Sequence, residues 1–356
     1  MNSYNISEWN SGIGLMSGTS LDGVDLALCS FRFVNNKWEY TFEKTFTYKY
    51  PAEIVKTLEF MPQMKASDFL IADREIGKFF GILISDFIKN NNKNILFVAS
   101  HGHTIFHEPN KGMTCQIGHG ATIAAECGLP VICDFRSSDV AYEGQGAPLV
   151  PIGDNLLFND FDAIVNIGGF SNISYMQNNK RIAYDICPVN IVSNHFAKQL
   201  GKEFDIDGNF AKNGKCNNEL INSLNSLEYY SKPYPKSLGR EWIESTFLPK
   251  ILKHEKNPTN ILSTLAHHAA SKITQACEGK KNILFTGGGC KNKFLTGLLK
   301  NKLSESIVIP DDTLVEYKEA LVFAFMGWLR LNEIPNTISS ATGAKKEVSA
   351  GCIYLP

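Results

Sequence analysis

The chain has 356 residues, 35 basic against 36 acidic side chains, and 44% apolar residues, enough to fill two hydrophobic cores and hence two domains. Balanced charge with no long like-charge run excludes the electrostatic footprint of a nucleic-acid or membrane-surface binder, and no apolar stretch approaches the roughly 20 residues that span a bilayer. The polar start, Met1 to Trp9, lacks the basic-then-apolar order of a signal peptide, so a cytoplasmic protein is expected.

Read in chain order, Gly12 to Ser17 is a strand, Gly18 to Gly23 a glycine-bearing turn and Val24 to Phe33 a second strand. An Asn-Asn-Lys turn at Asn35 to Lys37 leads into a third strand, Trp38 to Tyr48. Ile76, Phe79, Phe80, Leu83 and Phe87 recur at helical spacing in Ala66 to Asn90, ahead of a strand at Asn94 to Ala99. His101, His103 and His107 follow at alternating positions, which can place two imidazoles on one face. Glu108 is the one carboxylate beside them, and the pattern does not favour a metal.

The second half repeats this order. Ala163 to Ile167 is a strand, Gly168 to Ser171 a turn and Asn172 to Met176 a strand. A second Asn-Asn-Lys turn, Asn178 to Lys180, leads to Arg181 to Ile186. A more polar stretch, Asn194 to Leu248, reads as helices and loops. A helix from Asn260 to Cys277 then precedes a strand at Asn282 to Phe285, and KNILF recurs here from the first half. Beyond a helix at Asn292 to Leu303, Ile307 to Pro310 is a short strand, Glu316 to Leu331 a helix, and Thr342 to Leu355 a final strand returning to the first domain. The repeat predicts a duplicated α/β unit. The nine scattered cysteines contain no CxxC pair and read as buried thiols rather than a disulfide or zinc framework.

Three glycine turns stand where strands end. In Gly18, Thr19, Ser20, Leu21, Asp22 and Gly23, backbone amides and two hydroxyls can surround a phosphate while Asp22 faces its metal ion; the same residues also suit an ordinary Asp-Gly hairpin tip. Asn166, Gly168 and Gly169 present a second such turn, with a bulged hairpin as the plain alternative. Gly287, Gly288 and Gly289 stand before a helix, where amide donors and bare backbone favour an anion. Neither GxxxxGK[ST] nor GxGxxG occurs, so a P-loop and a dinucleotide fold are not supported. Asp185, expected at the end of the third strand of the second meander, is the candidate acid or base, or else the N-cap of the next helix. Arg136 can clamp a carboxylate or pair with Asp139, and Glu319 reads from its helix as an exposed structural residue.

In order and spacing these motifs resemble the anhydro-N-acetylmuramic acid kinase family: GLMSGTSLDGVD at Gly14 to Asp25, SHGHT at Ser100 to Thr104, DFRSSDVAYEGQGAPLVP at Asp134 to Pro151, NIGGFSNIS at Asn166 to Ser174, PKSLGRE at Pro235 to Glu241, GGGCKN at Gly287 to Asn292 and ATGA at Ala341 to Ala344. The resemblance implies two duplicated actin-like, ribonuclease H-like α/β domains around a central cleft, with 1–135 and 336–356 forming one and 136–335 the other. It implies a homodimer using ATP and Mg2+, in which water opens a 1,6-anhydro sugar while O6 takes the γ-phosphate. By position, Gly18, Thr19, Ser20, Leu21, Asp22, Gly23, Val24 and Asp25 match the ATP-phosphate segment, with Asp22 toward the metal. Asp185 matches the general base, Arg136 a substrate residue, and Glu319 a helix glutamate near them, carried over as a second catalytic residue. Ile186, Cys187 and Val189 depart from the family's Thr-Gly-Pro-Gly-Asn pattern after Asp185, and His119 and Gly120 replace its Asp-Pro after QIG. These departures keep open a kinase for another anhydro or amino sugar, or a nucleotide-dependent binding protein without turnover.

Overall fold

The computed structural model describes residues 4–18, 21, 23–234 and 236–356. In chain order the elements used below are β1 (Asn10–Ser17), β2 (Val24–Val34), β3 (Lys37–Tyr48), α1 (Ala66–Ile88), β4 (Ile95–Glu108), β5 (Met113–Ile117) and β6 (Val131–Cys133). They continue with β7 (Ala163–Ile167), β8 (Phe170–Gln177), β9 (Lys180–Pro188), α2 (Asn190–Gln199), α3 (Pro258–Ala276), β10 (Ile283–Thr286), α4 (Lys293–Leu303), β11 (Ile307–Val308), α5 (Asp312–Leu331) and β12 (Cys352–Tyr354).

The chain forms two compact units, Met1–Phe158 with Tyr317–Pro356, and Asn159–Glu316. Residues 136–158 and 317–335, expected in the second domain, belong to the first. The physical reason is a buried anchor: Lys318 Nζ lies 2.6 Å from Asp154 Oδ1, and the bare Cα of Gly153 sits against Val322.

Both units have the same strand plan. In the first the order is β12-β6-β4-β1-β2-β3, with β5 paired to β4; β1, β2 and β3 form an antiparallel meander, and β4 then β6 add in parallel. In the second the order is β11-β10-β7-β8-β9, again a meander extended by parallel β10 and β11. This is the duplicated α/β plan that the sequence repeat predicts. Each meander turns through two asparagines in the left-handed region, Asn35 and Asn36 (φ 51° and 60°) and Asn178 and Asn179 (φ 50° and 59°), because a twist-matched two-residue hairpin needs positive φ at both central positions.

In the first unit Ile13, Leu15, Leu26 and Leu28 pack with Ile76, Phe80, Ile84 and Phe87 of α1. Elsewhere in the unit the rings of Phe31 and Phe97 meet Phe325 and Trp328 of α5. In the second, Val165, Ile167, Ile173 and Phe285 pack with Ala269 and Ile273 of α3 and Leu295 and Leu299 of α4. Each fully buried side chain of this kind contributes about 1.5–3 kcal/mol. The stretch after α2 is helical and irregular as expected, and builds its own cluster around Phe196, Phe247 and Ile261. The expected long C-terminal strand is only the three residues of β12, but it does return to the first unit, on β6.

α5 lies directly on β1 because Gly14 has no side chain: a Cβ there would stand 1.8 Å from Ala320 O. Glu319 is the neighbouring residue on that helix. Gly14→Ala is therefore expected to destabilise the protein by about 1–3 kcal/mol or more through overpacking; urea unfolding measures it, and an unchanged midpoint would show that α5 has slack over β1.

Candidate functional site

In the second unit, β7 and β10 are parallel neighbours ending in register at Asn166 and Thr286. Their C-terminal turns therefore meet at one edge of the sheet. Gly287 has φ 86°, and a Cβ on it would stand 2.5 Å from Asn166 Oδ1 and 2.7 Å from Ile167 O; one on Gly289 would stand 2.3 Å from Ile167 Cγ2. Both are glycine because the neighbouring turn touches them. Gly288 differs: its φ is not positive and a Cβ would meet nothing within 4 Å.

At Gly169 a Cβ would find only an ordinary contact, 3.7 Å from Ile191. The carbonyls of Gly168 and Gly169 accept from Asn190, Val189 and Ile191, tying the hairpin turn to the start of α2. Among the described residues the amides of Gly169, Gly288 and Gly289 donate to no acceptor, and the buried hydroxyls of Ser171 and Thr286 have no partner. Buried polar groups are rarely left so. Open backbone, free amides and orphaned hydroxyls suit an anionic ligand. The expected helix N-terminus is not part of this set: Gly288–Lys291 make a single 3-10 turn, and α4 is capped by Asn292, whose Oδ1 accepts from Leu295 N at 3.0 Å.

Asp185 lies inside β9, not at its end. Asn172 pairs with Asp185 and Ser171 with Cys187, leaving Ile186 as the extra residue of a bulge. Bulges re-aim side chains and gather near functional sites. α2 is capped by Val189 without a side-chain bond, so Asp185 is not its N-cap. Its carboxylate Oδ2 accepts from Leu238 N at 2.8 Å, its amide donates to Lys236 O at 3.2 Å, and its carbonyl accepts from the Tyr229 hydroxyl. Burial pushes the carboxyl up from 3.8 to about 6, with the Leu238 amide opposing. Lys236 sits over the rings of Tyr229 and Tyr184, 4.9 and 5.5 Å from their centroids, and burial lowers its pKa, helped by Lys272. PKSLGRE marked this segment in the sequence, but its contact with Asp185 depends on a fold closing over dozens of residues.

In the first unit Leu21 N donates to Gly18 O at 3.3 Å, with Leu21 at φ 59°, and Gly23 lies against Tyr48 O. Thr19, Ser20 and Asp22, the last with its metal assignment, lie outside the described residues. Val24 is core, and Asp25 Oδ1 accepts from Thr47 at 2.6 Å. Arg136 and Glu319 act on one another electrostatically, and Asp25 acts on Glu319. The Arg136 Nε and Nη2 reach His101 Nε2 at 3.2 and 2.8 Å, and Nη1 donates to Gly146 O.

Burial lowers Arg136 to about 10, opposed chiefly by Glu319 and then by Asp139. Among the described residues Arg136 forms no ion pair with Asp139, whose carboxylate is taken by Gly146 N and Thr342 Oγ1. Glu319 is not the exposed structural residue its helix suggested: burial raises its pKa, Asp25 adds to that, and Lys318 and Arg136 oppose it. The histidines are absorbed structurally. His101 accepts from Arg136, His103 Nδ1 bonds Ser17 Oγ at 2.8 Å, and His107 Nδ1 bonds Thr114. No metal-binding cluster exists among the described residues, and all nine cysteines are free.

The model of the family described as "Anhydro-N-acetylmuramic acid kinase" matches residues 10–356. Proteins of that name from Francisella tularensis subsp. novicida and Hydrogenovibrio crunogenus are 35% and 34% identical, covering 98% and 97% of this chain and 99% and 98% of their own lengths. The chain belongs to the anhydro-N-acetylmuramic acid kinase family. Among solved structures, gluconate kinase and xylulose kinase from Lactobacillus acidophilus superpose over 98% of the chain and 94% of their own, with TM-scores of 0.43 and 0.41 at 12% and 10% identity.

The departures from the family pattern have local reasons. Cys187 and Val189 stand at the pattern's two glycine positions and Ile186 at its threonine, and all three are buried in the second unit's core, where side chains have somewhere to go. His119 precedes the helix Gly120–Cys127, with its ring bonded to Thr122, and serves that turn.

A carboxyl whose pKa is raised by folding contributes stability that is present below its unfolded pKa and lost as pH rises through the folded value. For Asp185 that window runs from 3.8 to about 6. Asp185→Asn removes the charged form and is expected to be more stable than the parent at pH 8 by on the order of 2–3 kcal/mol relative to the difference at pH 3.5. Urea unfolding at the two values decides it; a pH-independent difference would mean the carboxylate is solvated.

Proposed function

We propose that the protein is an ATP-dependent kinase that opens 1,6-anhydro-N-acetylmuramic acid with water and phosphorylates O6, giving N-acetylmuramic acid 6-phosphate in cell-wall recycling. Membership of the family and a near-neutral carboxyl on a bulged strand carry this reading. A general base works best when its pKa lies near the working pH, and burial has moved Asp185 toward that range.

In the reaction, Asp185 takes a proton from water as the water oxygen bonds to C1. The C1–O6 bond breaks, and O6 bonds to the γ-phosphorus as ADP leaves. Leu238 N and the Tyr229 hydroxyl hold the aspartate in place. Asn166, Gly168, Gly169, Gly287, Gly288 and Gly289, with the orphaned Ser171 and Thr286 hydroxyls, fit phosphate oxygens, and the segment from Gly18 to Asp25 is assigned the same role on the family resemblance. Mg2+, when bound, would neutralise phosphate charge, and Asp22 is the carboxylate the resemblance assigns to it. Arg136 and Glu319 bind and orient the sugar. Its acceptor is a small molecule. Among the described residues no helix is long and apolar enough to cross a membrane; dependence on ATP supports a cytoplasmic location, and the family resemblance supports a homodimer.

Incubation with the anhydro sugar and Mg-ATP should give a product heavier by one phosphate and one water in mass spectrometry. Asp185→Asn should slow turnover at least ~100-fold, and because the base acts deprotonated, kcat/KM should fall about tenfold per pH unit below about pH 6. A product lacking the water, or an acid limb near 4, would sink the role of Asp185. Gly288→Ala should leave folding stability within ~0.5 kcal/mol while weakening ATP binding severalfold; unchanged nucleotide affinity by calorimetry would remove Gly288 from the phosphate site.

A further inference from the structure

The face of the first sheet that packs on α1 changes character at one end. Along β1 the residues facing the core alternate Leu15, Ile13, Ser11, and along β2 Leu26, Leu28, Ser30, with Leu15 opposite Leu26, Ile13 opposite Leu28 and Ser11 opposite Ser30. Two leucine and isoleucine rungs give way to a serine rung, with both serines buried (7% and 1% exposed). Thr41 of β3 continues the same rung beside Ser30.

One residue further, β3 carries a bulge. Leu28 pairs with Lys44 and Cys29 with Phe42, leaving Glu43 extra. Ser11 and Ser30 hydroxyls bond at 2.8 Å, Ser30 donates to Glu43 Oε1 at 2.9 Å, and Glu43 Oε2 pairs with Lys93 at 3.1 Å. This polar chain lines a cavity of about 470 Å3 whose wall also includes Trp9, 45% exposed. A core rung needing only stability would carry apolar side chains and no cavity.

We infer that this cavity is a second binding site, for a neutral pyranose sugar. Its size lies in the range of small-molecule sites. Glu43 and Lys93 cancel in charge, which disfavours a phosphate or an isolated cation. What remains is a row of hydroxyls that both donate and accept, a carboxylate acceptor, an ammonium donor and an exposed indole, the set that answers ring hydroxyls and the apolar face of a pyranose. Ser11 and Ser17 lie six residues apart on β1, roughly 20 Å along the strand, so the site is separate from the Gly18 turn at the other end.

The test uses the full-length protein with N-acetylglucosamine and glucose as probes, at millimolar concentrations, by ligand-observed NMR and calorimetry. Saturable binding is expected for at least one probe, undisturbed by saturating anhydro sugar, and weakened at least ~tenfold in both Glu43→Gln and Trp9→Ala, with kinase turnover in both variants unchanged. Two variants on different strands guard against misfolding of one, and circular dichroism checks both. Three results would overturn the proposal: no saturable binding of either probe; binding retained in both variants, which makes the rung structural; or displacement by the anhydro sugar, which assigns the probe to the reaction site.

Discussion

Parallel pairing of β10 with β7 is the constraint on which the site of the second unit depends. Parallel strands finish at the same edge of a sheet, so the turns leaving them must share space, and here they do so within 2.3–2.7 Å of where a Cβ would stand. That crowding makes Gly287 and Gly289 glycine for reasons internal to the chain, and leaves Gly288 as the bare position with nothing of the protein's own against it. The distinction separates glycine that shapes a loop from glycine that admits a ligand. The free amides and the orphaned hydroxyls of Ser171 and Thr286 fall at the same edge.

In each unit the candidate ionisable groups are held at a cost. Asp185 has one amide donor on its carboxylate and little else to offset burial, and Glu319 and Arg136 are likewise shifted by burial first and by charges second. Asp139, by contrast, has two donors on its carboxylate, Gly146 N and Thr342 Oγ1. Groups shifted by burial in this way are candidates for chemistry.

The two meanders also share a less obvious device. Each has a bulge in its third strand, at Glu43 in one unit and at Ile186, beside Asp185, in the other. An inserted residue breaks the alternation of faces, so in both cases a carboxylate stands where strict pleating would not have left it. The bulges lie at different positions along the meander, and the duplicated plan has therefore been adapted differently in the two halves.

Much of this was legible in the residues alone. The Asn-Asn turns, the alternating and helical periods and the glycine turns are local: each is set by the φ, ψ preferences and burial patterns of residues near one another in the chain, and so the duplicated strand plan and the candidacy of Asp185 could be read without coordinates. Other features required tertiary structure. The bulge that keeps Asp185 inside a strand, the Leu238 amide on its carboxylate, the His101 contact that turns Arg136 away from Asp139, and the Lys318–Asp154 pair that keeps residues 136–158 with the first unit all join positions far apart in sequence. Pairing register and desolvation depend on what the whole chain brings to one place, and no window of sequence contains that information.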